Sequence, residues 1–98
     1  MTRVFYSSWQ LQCCGDGFAI GDRVSWTALA ADRQLVEQLG PAEGSGIDWR
    51  EEHHPRKGQR LTTLEGTVTA IRVIREGVAE DVQNADGTAA TGYVVTLS

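Results

Sequence analysis

Directly after Gly21-Asp22, the run Arg23-Val24-Ser25-Trp26-Thr27-Ala28 alternates apolar and polar side chains without a break. Successive side chains of a strand point to opposite faces, so Val24, Trp26 and Ala28 face inward and Arg23, Ser25 and Thr27 outward. A helix would scatter the same residues around its axis. Strand-type runs recur along the chain. Arg3 to Gln12 is rich in β-branched and aromatic residues and stops at Gly15-Asp16-Gly17. In it Trp9 and Leu11 share a face with Phe5, while Val4 and Tyr6 begin the other, so this strand is expected to be covered on both sides. Ile47 to His53 reads as a further strand with Ile47 and Trp49 on one face, and Pro55 holds His54 in extended geometry. Leu61 to Ile74 is the longest β segment, with Gly66 marking a bend or bulge. Tyr93 to Leu97 closes the chain, with Tyr93, Val95 and Leu97 on one face.

One segment is helical instead. Asp32 can cap the first turn of 33–39, Leu35 and Leu39 stack at i, i+4, and Gly40-Pro41 supplies the stop. So short a helix must dock Leu35, Val36 and Leu39 on the sheet to persist. The stretch from Glu76 to Thr91, with its Asn84-Ala85-Asp86-Gly87 turn signal, reads as a mobile loop or the tip of a long hairpin. About five strands and one short helix in 98 residues make a single domain over 1–98. Mainly-β architecture with so few strands favours closure, because an open sheet would leave its edges exposed. The expected fold is a small SH3-like or OB-like barrel.

Charge narrows the function classes. The net charge is −4, yet residues 50–75 carry a surplus of three positive charges through Arg50, Arg56, Lys57, Arg60, Arg72 and Arg75. Overall acidity argues against a general nucleic-acid binder, since affinity for polyanions comes from neutralising phosphates. No apolar run approaches the roughly 20 residues that cross a bilayer, and the first residues carry no signal-peptide pattern. A cytoplasmic location without membrane association is the expectation.

The residues that carry chemistry are few. Cys13 and Cys14 are the only cysteines. A disulfide between sequence neighbours strains the bond geometry, so two free thiols are expected, one of them a small core hydrophobe. With His53 and His54 they make two thiols and two imidazoles, the ligand types of a tetrahedral zinc site. The spacing opposes it, because adjacent side chains on a strand diverge. A Cys nucleophile with a His base needs both within hydrogen-bond reach and a third group, Glu51 or Glu52, to orient the base. Nothing around Cys13 or Cys14 matches a thiol-enzyme signature. On a strand, Glu51 and His53 share one face and Glu52 and His54 the other. Their bland reading is a solvated rim beside Arg50, Arg56 and Lys57.

Three tryptophans are many for this length. Trp26 is a core residue by its alternation. Trp9 and Trp49 are read first as core and second as anchors of a binding surface. Trp49 with Arg56, Lys57 and Arg60 forms the candidate rim for a protein partner.

Two sequence elements stand out together. They are Trp9-Gln10-x-x-Cys13-Cys14-Gly15 followed by Phe18-x-x-Gly21-Asp22-x-Val24-x-Trp26, and Glu51-Glu52-His53-His54 followed by Gly66-Thr67-Val68-Thr69-Ala70-Ile71. The chain thereby resembles a family of short actinobacterial proteins of unknown function. The resemblance implies that positions 9–26 and 51–54 belong to one architecture, and it carries over no catalytic role. The reading from sequence is a small intracellular, non-catalytic binding or interaction module without a cofactor. The alternative is a zinc-binding protein using Cys13, Cys14, His53 and His54, with the metal structural or catalytic.

Overall fold

The computed structural model describes residues 2–14, 17–40, 46–53, 56–76, 78–88 and 91–98, apart from the side chains of Cys13 and Cys14. The alternating segment forms β3 (Arg23–Ala30), one of five strands that close into a barrel. Its other members are β1 (Thr2–Ser7), β4 (Trp49–Glu51), β5 (Thr62–Arg75) and β8 (Gly92–Leu97). Around the barrel the order is β3–β4–β1–β8–β5, and β5 returns to β3. The β1–β4 pair is parallel and the remaining barrel pairs are antiparallel. Closure satisfies the edges that an open five-stranded sheet would expose, as expected.

β5 makes closure possible by serving two neighbourhoods. Its first half pairs with β3 from Thr62 to Thr67, and its second half pairs with β6 (Val78–Val82) from Ile71 to Arg75. A register shift against β8 between Val68 and Ala70 leaves Thr69 as the extra residue of a bulge. The bend expected at Gly66 thus lies three residues further on. Gly66 is needed for another reason, since a Cβ there would stand 2.7 Å from the Ser98 carbonyl oxygen. Close approach of two backbones explains the glycine.

The two sides of β1 are both covered, as its composition implied. Val4 and Tyr6 join Val68, Ile71, Val95 and Leu97 in the barrel interior. Phe5 points outward into a second cluster with Leu35, Leu39, Ile47, Ile74 and Val94. That cluster is roofed by α2 (Arg33–Leu39), whose Asp32 carboxylate accepts a hydrogen bond from the Leu35 N–H at 2.9 Å. Each large apolar side chain buried this way contributes about 1.5–3 kcal/mol relative to exposure. Trp26 packs edge-on to Tyr6 and Phe18, with ring centroids 5.0 and 4.9 Å away.

Three expectations are corrected. The strand over Arg3–Gln12 ends at Ser7, and Ser8–Cys14 is a second short helix, α1. Strand-type residues lose there to tertiary packing: Leu11 inserts into the barrel core, and the Gln12 side chain donates to the Gly87 carbonyl. Trp9, expected in the core, is 59% exposed as a result. The segment after Glu76 is not simply a loop. It contains β6 and β7 (Asn84–Ala85), the latter paired with β2 (Phe18–Ala19). β6 pairs with the second half of β5, with Asp81 opposite Arg72 and 3.6 Å from its guanidinium. Finally, Ile47 and Trp49 belong to the outer and inner clusters respectively, because β4 starts only at Trp49.

Candidate functional site

Beyond the apolar roof of α2, the outer face of β1 and β4 opens into a cleft of about 780 Å³. Strand alternation builds its floor. Phe5 and Ser7 of β1 and Arg50 of β4 point to this side, while Tyr6 and Trp49 point into the barrel. The walls come from Trp9 and Gln10 of α1, Gln34 and Gln38 of α2, and Arg56 and Gln59 of the loop after β4. The loop is closed by reciprocal bonds, Arg56 N–H to the Gln59 side chain at 2.8 Å and Gln59 N–H to the Arg56 carbonyl at 3.0 Å. Lys57-Gly58 forms its tip, with Gly58 at φ 87.

Glu52 anchors one side of the cleft. Its N–H donates to the Thr27 carbonyl at 2.9 Å, and its carbonyl accepts from the Thr27 hydroxyl at 2.7 Å. Its carboxylate accepts from Gln10 Nε2 at 2.6 Å. An ionised carboxylate can only accept, so this bond decides which end of the Gln10 amide is which. Gln10 Oε1 is therefore an acceptor, and it is buried without a donor among the described residues. Arg50 Nε and Ser8 Oγ are likewise buried and unpartnered there. Gln10 is only 2% exposed. Buried polar atoms normally find partners, and each one left alone costs about 1–3 kcal/mol.

On the inner side of β4, Glu51 and His53 share a face, as strand periodicity predicted. His53 Nδ1 lies 2.8 Å and 3.1 Å from the two Glu51 carboxylate oxygens. Glu51 is 3% exposed and its partner 23%. This is a buried acid–imidazole pair rather than a solvated rim. The tilted Tyr6 ring stands beside His53, with centroids 6.4 Å apart. A carboxylate that enters a barrel end in this way needs its partner, because desolvation of an unpaired charge is costly.

Of the rim predicted from Trp49, Arg56, Lys57 and Arg60, only Arg56 lines the cleft. Trp49 is half-buried and packs against the barrel core, while Lys57 and Arg60 are exposed. The side chains of Cys13 and Cys14 and the whole of His54 lie outside the described residues, so their expected meeting with His53 does too. Among the described residues, no group of three or more His, Cys, Asp or Glu side chains is arranged to hold a metal ion. Also among them, no helix is long and apolar enough to cross a membrane.

Sequence reasoning missed Gln10, Gln34, Gln38 and Gln59. Only the polar i, i+4 pair Gln34 and Gln38 on α2 left a trace, and an exposed helix face explains it equally well. Gln10 stood in the Trp9-Gln10-x-x-Cys13-Cys14-Gly15 element, but in a stretch whose composition reads as strand nothing marked it as a binding residue.

No curated protein and no solved structure matches the chain. A family model described as a family of unknown function (DUF6578) matches residues 1–97. With nearly its whole length matched, the chain belongs to that family of unknown function.

Proposed function

We propose that this protein is a non-catalytic binding module whose ligand occupies the cleft between α1, α2 and β4. One observation carries the reading: Gln10 Oε1 and Arg50 Nε, a buried acceptor and a buried donor on residues that line a cleft of about 780 Å³, have no partner among the described residues. Both atoms are closed to solvent with the cleft empty, so a ligand meets them only where the Gln10 and Arg50 side chains turn toward it, and it then removes two desolvation penalties. The cleft lies on the outside of the barrel, so it can be filled without opening the core. Arg56 is the one residue of the rim expected for a protein partner that contributes to it. A catalytic reading has less support, because the Glu51–His53 pair faces the barrel interior beside Tyr6.

The test is amide and side-chain NMR of the whole chain against a fragment library. Binding in the cleft moves the Gln10 side-chain amide and the Arg50 Nε–H resonance together. A library whose hits all map elsewhere overturns the reading.

The rival is a zinc protein using Cys13, Cys14, His53 and His54, its metal structural or catalytic. What favours it is the carboxylate on His53 Nδ1, the support that a metal-bound imidazole commonly has. Elemental analysis of protein purified without an affinity tag decides between them. One zinc per chain, lost in Cys13→Ser and His53→Ala, establishes the rival, and metal-free protein with unchanged melting in chelator removes it.

A further inference from the structure

We infer that the outer edge of β6 is a docking strand for an extended, basic peptide segment of a partner protein. The barrel closes through β3, β4, β1, β8 and β5, while β6 lies outside that ring as the last strand of the sheet. It pairs with β5 from Val78 to Val82 and, among the described residues, with no other strand. In an antiparallel pair every second residue turns its N–H and C=O away from the neighbouring strand. Those outward groups of β6 take no backbone hydrogen bond from another described element. None of the five residues is buried, and Val78, Glu80 and Asp81 are exposed. Such an edge is a template for one more strand, which the main chain of a peptide supplies.

The side chains select the occupant. Val82 packs toward the barrel interior and Ala79 toward the outer cluster, which fixes the two faces of β6. Val78 and Glu80 lie on the face of Val82, and Asp81 lies on that of Ala79. Asp81 already stands 3.6 Å from the Arg72 guanidinium. Glu80 instead faces the apolar Val73 and makes no ion pair among the described residues. A complementary strand sets a lysine or arginine opposite Glu80, with apolar side chains two residues away on each side to cover Val78 and Val82. Val78 is 58% exposed, so there is apolar surface to gain.

Charge also argues against two other occupants. From Glu76 to Ser98 the chain carries four acidic side chains and no basic one, so an acidic strand is repelled. A second copy pairing β6 antiparallel with itself about its centre would bring Glu80 against its own counterpart, and like charges directly opposite are destabilising. The acid thus guards the edge against copies of this chain while attracting a basic strand.

The experiment titrates the full chain with the capped peptide Thr-Val-Thr-Lys-Thr-Val-Thr and with its counterpart carrying glutamate in place of lysine. Amide NMR shifts and hydrogen exchange at β6 are the readout. The lysine peptide is expected to shift and protect the β6 amides, and the glutamate peptide to leave them unchanged. Glu80→Lys, at an exposed position that leaves the fold intact, should weaken the lysine peptide about tenfold and reverse the preference. Two further lysine peptides, N-methylated at either the odd or the even residues, test the mode. Only one edge of a bound strand meets β6, so one methylation pattern should abolish binding and the other spare it. No shift at β6 up to the solubility limit overturns the inference, as does equal binding of both charge forms. Equal effects of the two methylation patterns also overturn it, because the peptide is then not paired as a strand. No β6 residue lines the cleft, so failure here leaves the cleft reading to its own test.

Discussion

The two sides of β1 and β4 obey different rules. Inside the barrel, Val4 of β1 packs with Val68 and Ile71 of β5 and Val95 and Leu97 of β8, all apolar and at most 2% exposed, and Trp49 of β4 packs against them. Outside, the same strands carry Phe5 under the helix and then, within a few residues, Ser7 and Arg50 on an open polar cleft. The interior is where stability is built. The outer face gives some of that stability up, since Gln10 Oε1 and Arg50 Nε have no partner among the described residues. Natural proteins tolerate such costs where a site needs them, and the proposed binding cleft rests on this contrast.

The sharpest way to break the comparison is to cut both apolar clusters. Leu97→Ala in the interior should cost about 3–4 kcal/mol, and Leu39→Ala beneath the short α2 nearer 2, because α2 can shift to fill space. Denaturant unfolding measures both; equal costs would mean that the outer cluster is as rigid as the core. Next comes the buried acid. His53→Ala leaves the Glu51 carboxylate inside the barrel end without its imidazole and should lower stability by about 2 kcal/mol. The double variant with Glu51→Gln should recover part of that loss, and a full loss in the double variant would assign the cost to packing against Tyr6.

A smaller change of opposite sign is expected in the cleft. Arg50→Met removes a buried donor that has no partner among the described residues while keeping most of the stem, so stability should stay level or rise by about 0.5–1 kcal/mol. A fall of more than about 1 kcal/mol in thermal melting would show that the guanidinium holds the fold rather than a ligand.

The smallest effect lies in the turn before β8. The Thr88 hydroxyl and then the Thr88 N–H, with a lesser contribution from Tyr93, hold the Asp86 carboxyl below its ordinary value of 3.8. A lowered folded-state value means that the contribution is complete above the unfolded value and is lost as pH falls through the folded one. Acidification below about 4 should therefore loosen this turn first, seen as faster exchange of the Thr88 amide. In Asp86→Asn the Thr88 amide should lose that pH dependence.

Much of this architecture was legible because its signals are local. The alternation in β3 and β8, the Asp32 cap, the Leu35–Leu39 spacing and the shared face of Glu51 and His53 each follow from two or three neighbouring residues. They needed no knowledge of the remainder of the chain. The same holds for closure: few strands and no second layer leave a barrel as the way to satisfy every edge.

Ser8–Cys14 shows what local reading cannot reach. Its composition suits a strand as well as a helix, and the choice fell to Leu11 entering the barrel and Gln12 bonding to Gly87, 75 residues away. That choice swung Trp9 outward and set Gln10 against Glu52. Likewise Val78–Val82 carries no strand signal of its own and read as loop, and only the second half of β5 gave β6 an antiparallel partner. The sequence by itself determined a closed, mainly-β domain with one capped helix, since backbone periodicity and turn chemistry act over a few residues. Only the tertiary structure decided the cleft, because the donor and acceptor left without partners among the described residues come from elements far apart in the chain, and burial is a property of the assembled surface.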